Sequence, residues 1–330
     1  MSGEWRPEPA LQGTIVVFGG AGFVGTHLLE RLRKDLDTPL ISVDIRAPKH
    51  PVDGVTYMTH DVRDLSQLDI GAPVPLLFNL AAVHTTPGHE PWEYYDANVR
   101  GAIEISRFAR RHQTRKICFT SSISVYGPCE TPLDETSTPA PKSDYGRSKL
   151  MAEQVFKDWV HEDPAHALVT ARPAVVFGRG EGGNFTRLAR MLNRGFFIYP
   201  GRKDTIKSCI HVGDLVEWML FAVQRSDKTV LFNGAFDERY TIETIVETFR
   251  DISFPRARTF MLPGGVMKFM AALLRPLSAT GLGVHPERIE KLMLSTNIVP
   301  LWANENGLPT RERLRPGLET WKNETDGAFS

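Results

Sequence analysis

Tyr145 and Lys149 stand four residues apart in the stretch Ser143-Asp144-Tyr145-Gly146-Arg147-Ser148-Lys149. On a helix, positions i and i+4 share one face, so this spacing sets a phenol beside an ammonium. A neighbouring cation favours the phenolate, the form a tyrosine needs if it is to exchange a proton near neutral pH. By itself the spacing carries little information. Its weight comes from the stretches around it.

Thr14 to Phe18 is an apolar, β-rich run that ends in Gly19, Gly22 and Gly25 and passes into a helical pattern from His27 to Lys34. A strand, a glycine turn and a helix in that order are the context a dinucleotide-binding turn requires. Glycines let a pyrophosphate approach the backbone, and the helix N-terminus favours its charge. The spacing is Gly-x-x-Gly-x-x-Gly, not the usual Gly-x-Gly-x-x-Gly. A second short strand, Leu40 to Asp44, ends in a carboxylate roughly twenty residues beyond the glycines, where an acid can bond both ribose hydroxyls. That argues for NAD over NADP, although Arg46 keeps the choice open.

The alternation continues with Val55 to Met58, Leu76 to Phe78, a long helical pattern from Tyr94 to His112, and a strand at Lys116 to Thr120. Strands separated by helices imply a parallel sheet with its ligands at the carboxyl ends of the strands. The fold expected is α/β, a Rossmann-type doubly wound parallel sheet with a smaller mixed, mainly helical C-terminal substrate lobe. Residues 12–177 form the NAD-binding domain, with 211–235 returning to it, and residues 178–210 and 236–330 form the lobe. Ala167 to Val176 reads as one strand, and the glycines of the loop Gly178 to Asn184 suggest a rim or lid.

Composition sets bounds. The chain has 330 residues, 42% hydrophobic and 24% charged, with a formal net charge of +0. That is an ordinary soluble balance without the basic footprint of a nucleic-acid partner. Cys118, Cys129 and Cys209 have neither metal-ligand nor disulfide spacing, which fits a reducing cytoplasm. Met1 to Gln12 is polar and reads as neither signal peptide nor membrane span. The apolar stretch near Met261 to Leu277 contains Lys268 and Pro276 and is too short to span; it reads as core, with contact to a membrane or a lipid-linked sugar left open.

Taken together, Gly19/Gly22/Gly25, Asp44, Asp61-Val62, Asn79 to Ala82, Asn98, Ser121-Ser122, Val125-Tyr126-Gly127, Tyr145/Lys149 and Arg172-Pro173 resemble, in order, the extended short-chain dehydrogenase/reductase superfamily, specifically its NAD-dependent epimerase/dehydratase family. The likeness covers roughly residues 13–235. It implies that Gly19, Gly22, Phe23, Val24 and Gly25 bind the diphosphate, Asp44 the adenosine ribose, and Asp61 with Val62 the adenine. Leu80, Ala81 and Ala82 line the cofactor, Pro173 sits near the nicotinamide, and Lys149 holds the nicotinamide ribose while assisting Tyr145. Ser122 bonds the sugar oxygen that exchanges a proton, and Asn98 supports the active-site helix or merely bridges backbone groups. Asn184 and Lys207, the latter ahead of His211-Val-Gly-Asp-Leu215, are candidates for holding the nucleotide diphosphate. His84 either lines the pocket or is a polar loop residue.

By the same resemblance the function is NAD-dependent epimerisation of a nucleotide sugar through a 4-keto intermediate. A dehydrogenase or ketoreductase of a 4-ketosugar or steroid-like alcohol, and a non-catalytic NAD sensor, are the alternatives. Related dehydratases carry an acid just before the Val-Tyr-Gly segment, whereas Ser122, Ile123 and Ser124 precede Val125 here. Elimination of water therefore lacks its proton shuttle. Relatives dimerise through two helices of the sheet domain, so a homodimer is expected. The identity of the sugar and of its nucleotide is not legible.

Overall fold

The apolar, β-branched runs of the first half become the central strands of a seven-stranded parallel sheet. In the computed structural model, which describes residues 5–85, 88–263, 265 and 293–330, these strands are β1 (Ile15–Phe18), β2 (Leu40–Asp44), β3 (Val55–Thr59), β4 (Leu76–Asn79), β5 (Lys116–Thr120), β6 (Ala167–Pro173) and β7 (Thr229–Gly234). Their spatial order is β7-β6-β5-β4-β1-β2-β3. The order reverses beside β1, which opens a crevice at the carboxyl ends of β1 and β4, where such sheets bind ligands. β1, β4 and β5 are buried along their whole length, as strands covered on both faces must be.

The chain divides into two compact units. The first comprises Met1–Gly127, Thr138–Pro173 and Val212–Gly234 and holds the sheet with helices α1 (Phe23–Asp35), α2 (Pro91–Tyr95), α3 (Gly101–Arg111), α4 (Asp144–Glu162) and α5 (Val212–Val223). Val16, Phe18, Leu77, Ile117 and Phe119 of the sheet pack against Ile105 and Phe108 of α3 and Phe156 and Trp159 of α4. The Phe18 and Phe108 rings meet edge to face at 5.3 Å. Each such side chain, fully buried, contributes about 1.5–3 kcal/mol.

Two expected elements are subdivided. The pattern from Tyr94 to His112 is not one helix: α2 and α3 are joined by a π turn at Asp96–Arg100, and the wider turn occurs where buried Asn98 engages neighbouring chain. The expected strand Ala167 to Val176 ends its sheet pairing at Pro173, which has no N–H to continue the ladder. Val175–Phe177 pairs instead with Cys209–His211 in the second unit.

That second unit comprises Pro128–Ser137, Ala174–His211 and Ala235–Ser330. It is mixed: besides Val175–Phe177 with Cys209–His211, Phe196–Gly201 pairs with Arg258–Pro263, and Cys129–Leu133 with Thr296–Ile298. Helices Asn184–Asn193, Ile242–Ile252, Leu301–Glu305 and Leu314–Glu324 complete its described part. Phe177 stacks on Phe185 at 4.7 Å, and Phe249, Trp321 and Phe329 close an aromatic core. Most of the apolar stretch near Met261 to Leu277 lies outside the described residues. Among the described residues no helix is long and apolar enough to cross a membrane.

α4 positions the chemistry, and its start is specified locally. The Ser143 hydroxyl caps it by accepting from the Gly146 N–H at 3.1 Å, and Asp144 adds a favourable charge in the first turn. Its apolar face, Ala152, Phe156, Trp159 and Val160, is buried, and Pro164 follows its end. Gly146 packs so closely on the preceding loop that a Cβ there would lie 2.4 Å from the Ser124 carbonyl oxygen. Gly146→Ala is therefore expected to destabilise the protein by about 1–3 kcal/mol. A denaturant midpoint equal to that of the parent would contradict this contact.

Candidate active site

β5 ends at Thr120 and is followed at the carboxyl end of the sheet by Ser121, buried against Glu153, and Ser122. The Ser122 hydroxyl caps the 3₁₀ turn Ile123–Val125 by accepting from the Ser124 N–H at 3.1 Å, which leaves its own proton to donate. Ser122 lies close enough to Tyr145 for its hydroxyl to favour the phenolate. The Tyr94 ring lies 6.3 Å from the Tyr145 ring and is fixed by a 2.7 Å hydrogen bond from its hydroxyl to the Thr85 carbonyl. Ser122 and Tyr145 thus reach one point from two elements of the first unit.

Lys149, one turn further along α4, is only 2% exposed. Its ammonium sits over the Phe119 ring, 4.6 Å from the centroid, and makes no hydrogen bond to any described residue. Burial pushes its pKa down to about 7, against the pull of the Glu153 carboxylate. Tyr145 moves the other way: burial pushes its phenol up to about 12, with the Ser122 hydrogen bond opposing and Tyr94 adding. The spacing of Tyr145 and Lys149 predicts a favoured phenolate, whereas in the protein alone dehydration of the phenol wins.

The glycine turn makes a cradle. Gly19 has φ +77°, and a Cβ on it would lie 2.6 Å from the Ala81 N–H; one on Gly25 would lie 2.4 Å from the Gly19 carbonyl. Gly22 caps α1 without a side chain, so the first-turn N–H groups of Phe23, Val24 and Gly25 point out of the helix unfilled by any cap. Asp44, at the end of β2, accepts from the N–H of Ala21 and of Arg46, both at 3.2 Å, which joins the acid to the turn. Leu80 bonds back to Phe18 at 2.9 Å and Ala81 to the Asn79 side chain at 3.2 Å, so Leu80, Ala81 and Ala82 form the facing wall. Open N–H groups and a buried ammonium with no hydrogen bond to a described residue can donate, and the carboxylate at the second strand can accept, which is the set of partners a pyridine dinucleotide needs.

Beyond the cradle, Asp61 is held by Arg63 through 2.9 and 3.0 Å bonds to Nε, and Arg63 also reaches Asp96 at 3.1 Å. Neighbouring Val62 is buried, and Pro173 pairs with Gly234 at the end of β6. Asn98 does both things open to it. It accepts from the Val83 N–H at 2.9 Å and donates to the Val83 carbonyl and to Ser148 Oγ on α4, at 3.1 and 2.9 Å. His84 bonds to the Ala82 backbone and lies close enough to feel the Lys149 charge; dehydration first, then that charge, holds its pKa below the ordinary imidazole value.

Asn184 and Lys207 belong to the second unit. Asn184 is the first residue of its helix and accepts from Arg187 at 3.4 Å, and the Lys207 ammonium donates to the Leu294 carbonyl at 2.6 Å. Burial lowers Lys207 to about 8, with Glu130 opposing. The residue that sequence reasoning passed over is Glu153. It is fully buried, accepts from Ser121 at 2.6 Å, and takes two bonds from Arg172 at 2.9 and 2.7 Å. Its signal was present, one helical turn beyond Lys149 on the same face.

The chain is 31% identical over 216 residues to an N-acetyl-alpha-D-glucosaminyl-diphospho-ditrans,octacis-undecaprenol 4-epimerase of Escherichia coli O157:H7, covering 65% of this chain and 64% of that protein. It is 31% identical over 166 residues to a UDP-glucose 4-epimerase of Yersinia pestis, covering 46% and 49%. The chain thus matches less than two thirds of either relative's own length. A solved structure of MoeE5 in complex with UDP-glucose and NAD shares the fold at a TM-score of 0.75 and 23% identity, over 96% of this chain and 100% of that one. The family model described as "NAD dependent epimerase/dehydratase family" matches residues 15–233. With its glycine cradle, its acid on the second strand and its Ser122, Tyr145 and Lys149, the chain belongs to that family, whose cofactor is NAD.

Proposed function

We propose that the protein is an NAD-dependent 4-epimerase of a hexose carried on a diphosphate, with a nucleotide as the carrier. The observation that carries this reading is the meeting of Ser122 and Tyr145, beside the buried Lys149, in the unit that holds the dinucleotide cradle. Gly19, Gly22, Phe23, Val24 and Gly25 are assigned to the diphosphate, Asp44 to the ribose, Asp61 and Val62 to the adenine, and Leu80, Ala81, Ala82 and Pro173 to the rest of the cofactor. When bound, NAD supplies the acceptor that takes a hydride from the sugar carbon and later returns it. Tyr145 takes the proton of the sugar hydroxyl, Ser122 steadies that oxygen, and the Lys149 charge favours the phenolate. Burial, which pushes the phenol up and the ammonium down, favours keeping the proton on Tyr145 until substrate and cofactor are in place. Returning the proton from the same tyrosine after the ketone has presented its other face completes an epimerisation without net redox change.

Asn184 and Lys207 are assigned to the diphosphate carrier. The Escherichia coli relative acts on a sugar joined through a diphosphate to a polyprenol, so a lipid carrier is the second reading. A sensor that never turns over would have no use for a proton-transfer pair. Dimerisation through α3 and α4 is proposed as well, because each exposes a large apolar side chain, Ile103 at 39% and Met151 at 49%.

Purified protein is expected to keep its NAD through desalting and to interconvert the two 4-epimers of its substrate without steady growth of reduced-nicotinamide absorbance. Continuous growth would make it a dehydrogenase instead, and turnover only of polyprenyl diphosphate sugars would select the lipid carrier. Tyr145→Phe should lower turnover by about 10²–10⁴-fold while leaving NAD affinity close to the parent; retained activity removes Tyr145 from the chemistry. Asp44→Ala should weaken NAD by about tenfold or more and narrow the preference over NADP, and equal affinities in parent and variant would dismiss the ribose assignment. Met151→Glu should shift the mass measured by light scattering from dimer to monomer; an unaltered dimer places the interface elsewhere.

A further inference from the structure

Glu153, Arg172, Tyr126, Ser121 and Asn233 form a buried polar chain that none of the proposed chemistry uses. The Glu153 carboxylate accepts from the Ser121 hydroxyl at 2.6 Å and from Arg172 Nε and a terminal nitrogen at 2.9 and 2.7 Å. The other terminal nitrogen of Arg172 donates to the Tyr126 hydroxyl at 2.7 Å, and that hydroxyl donates to Asn233 Oδ1 at 3.0 Å. Glu153 is 0% exposed and Arg172 3%. A buried ion pair rarely adds stability over apolar packing of the same volume, so its presence asks for another reason.

The placement supplies one. Ser121 precedes Ser122, Arg172 precedes Pro173, Asn233 lies near the end of β7, and Glu153 is one turn beyond Lys149. We propose that Glu153 is a positioning residue of the site, fixing the Ser122 and Pro173 backbones to the face of α4 that carries Tyr145 and Lys149 and keeping a negative charge beside the Lys149 ammonium. This rests on the proton-transfer role proposed for Ser122, Tyr145 and Lys149. The groups that act on or contact Lys149 are Glu153 on its own helix, His84 from the loop after β4 and the Phe119 ring from β5, and Tyr145 shares its helix face by spacing. Among them only the Glu153 carboxylate raises the ammonium's pKa, against burial. Removing that carboxylate lowers the pKa further, so the protonated lysine disappears at a lower pH.

Two variants test this, Glu153→Gln and the double variant Glu153→Gln/Arg172→Gln, which leaves no buried unpaired guanidinium. In Glu153→Gln, kcat should fall about tenfold or more with KM changed far less. The alkaline limb of kcat, and of NAD affinity measured by calorimetry, should move down by about one pH unit. The double variant should recover thermal stability while both limbs stay displaced. Recovery of stability that also restores the parent limbs, or parent-like limbs in Glu153→Gln, overturns the proposal and leaves Glu153 a packing residue. If the parent protein turns over no sugar at all, the functional reading fails separately, and the NAD-affinity limb alone decides the role of Glu153.

Discussion

An ammonium held out of bulk water is the constraint on which the first unit depends. Lys149 at 2% exposure loses most of its hydration, and no described residue accepts a hydrogen bond from it in return. What remains is weaker and longer in range: the face of Phe119 and the field of Glu153. Glu153 is itself buried and needs Arg172; Arg172 has a donor left over and needs Tyr126; Tyr126 needs Asn233. One lysine thereby recruits a line of polar groups running from α4 to the far edge of the sheet. Each link is satisfied, which is the condition under which such a network rigidifies instead of weakening a core.

The sheet makes this arrangement possible because its strands are parallel. All seven carboxyl ends lie along one rim, so the glycine turn after β1, the acid of β2, the wall after β4, the serines after β5 and Pro173 of β6 face the same space. α4 then needs only one close approach to bring its own face to that rim, and Gly146 against Ser124 provides it. Asn98 fastens the wall after β4 to the same helix through Val83 and Ser148.

Much of this was legible beforehand because it is local. The strand, glycine turn and helix at residues 14–34, the acid at Asp44 and the four-residue step from Tyr145 to Lys149 each depend on neighbours in sequence, and the structure places them in the first unit as those patterns imply. The network under α4 was not legible, because its bonds join residues 32, 19, 46 and 107 positions apart. Nor was the state of the phenol. Spacing says that a cation stands nearby but not how much water has left, and for Tyr145 the lost water outweighs the opposing Ser122 hydroxyl. The splitting of the pattern from Tyr94 to His112 escaped for a related reason: a π turn keeps the hydrophobic rhythm of a helix while shifting its face.

The pairing of β7 with β6 has a consequence for synthesis. β6 ends at Pro173, and its outer neighbour begins only at Thr229, after the chain has passed through Ala174–His211 of the other unit. While a ribosome is still translating that excursion, the nascent sheet presents β6 as an unpaired, apolar margin, the kind of border that invites association with other chains. Closure of the sheet, and the last link of the Glu153 line at Asn233, must therefore wait until just over two thirds of the polypeptide has emerged.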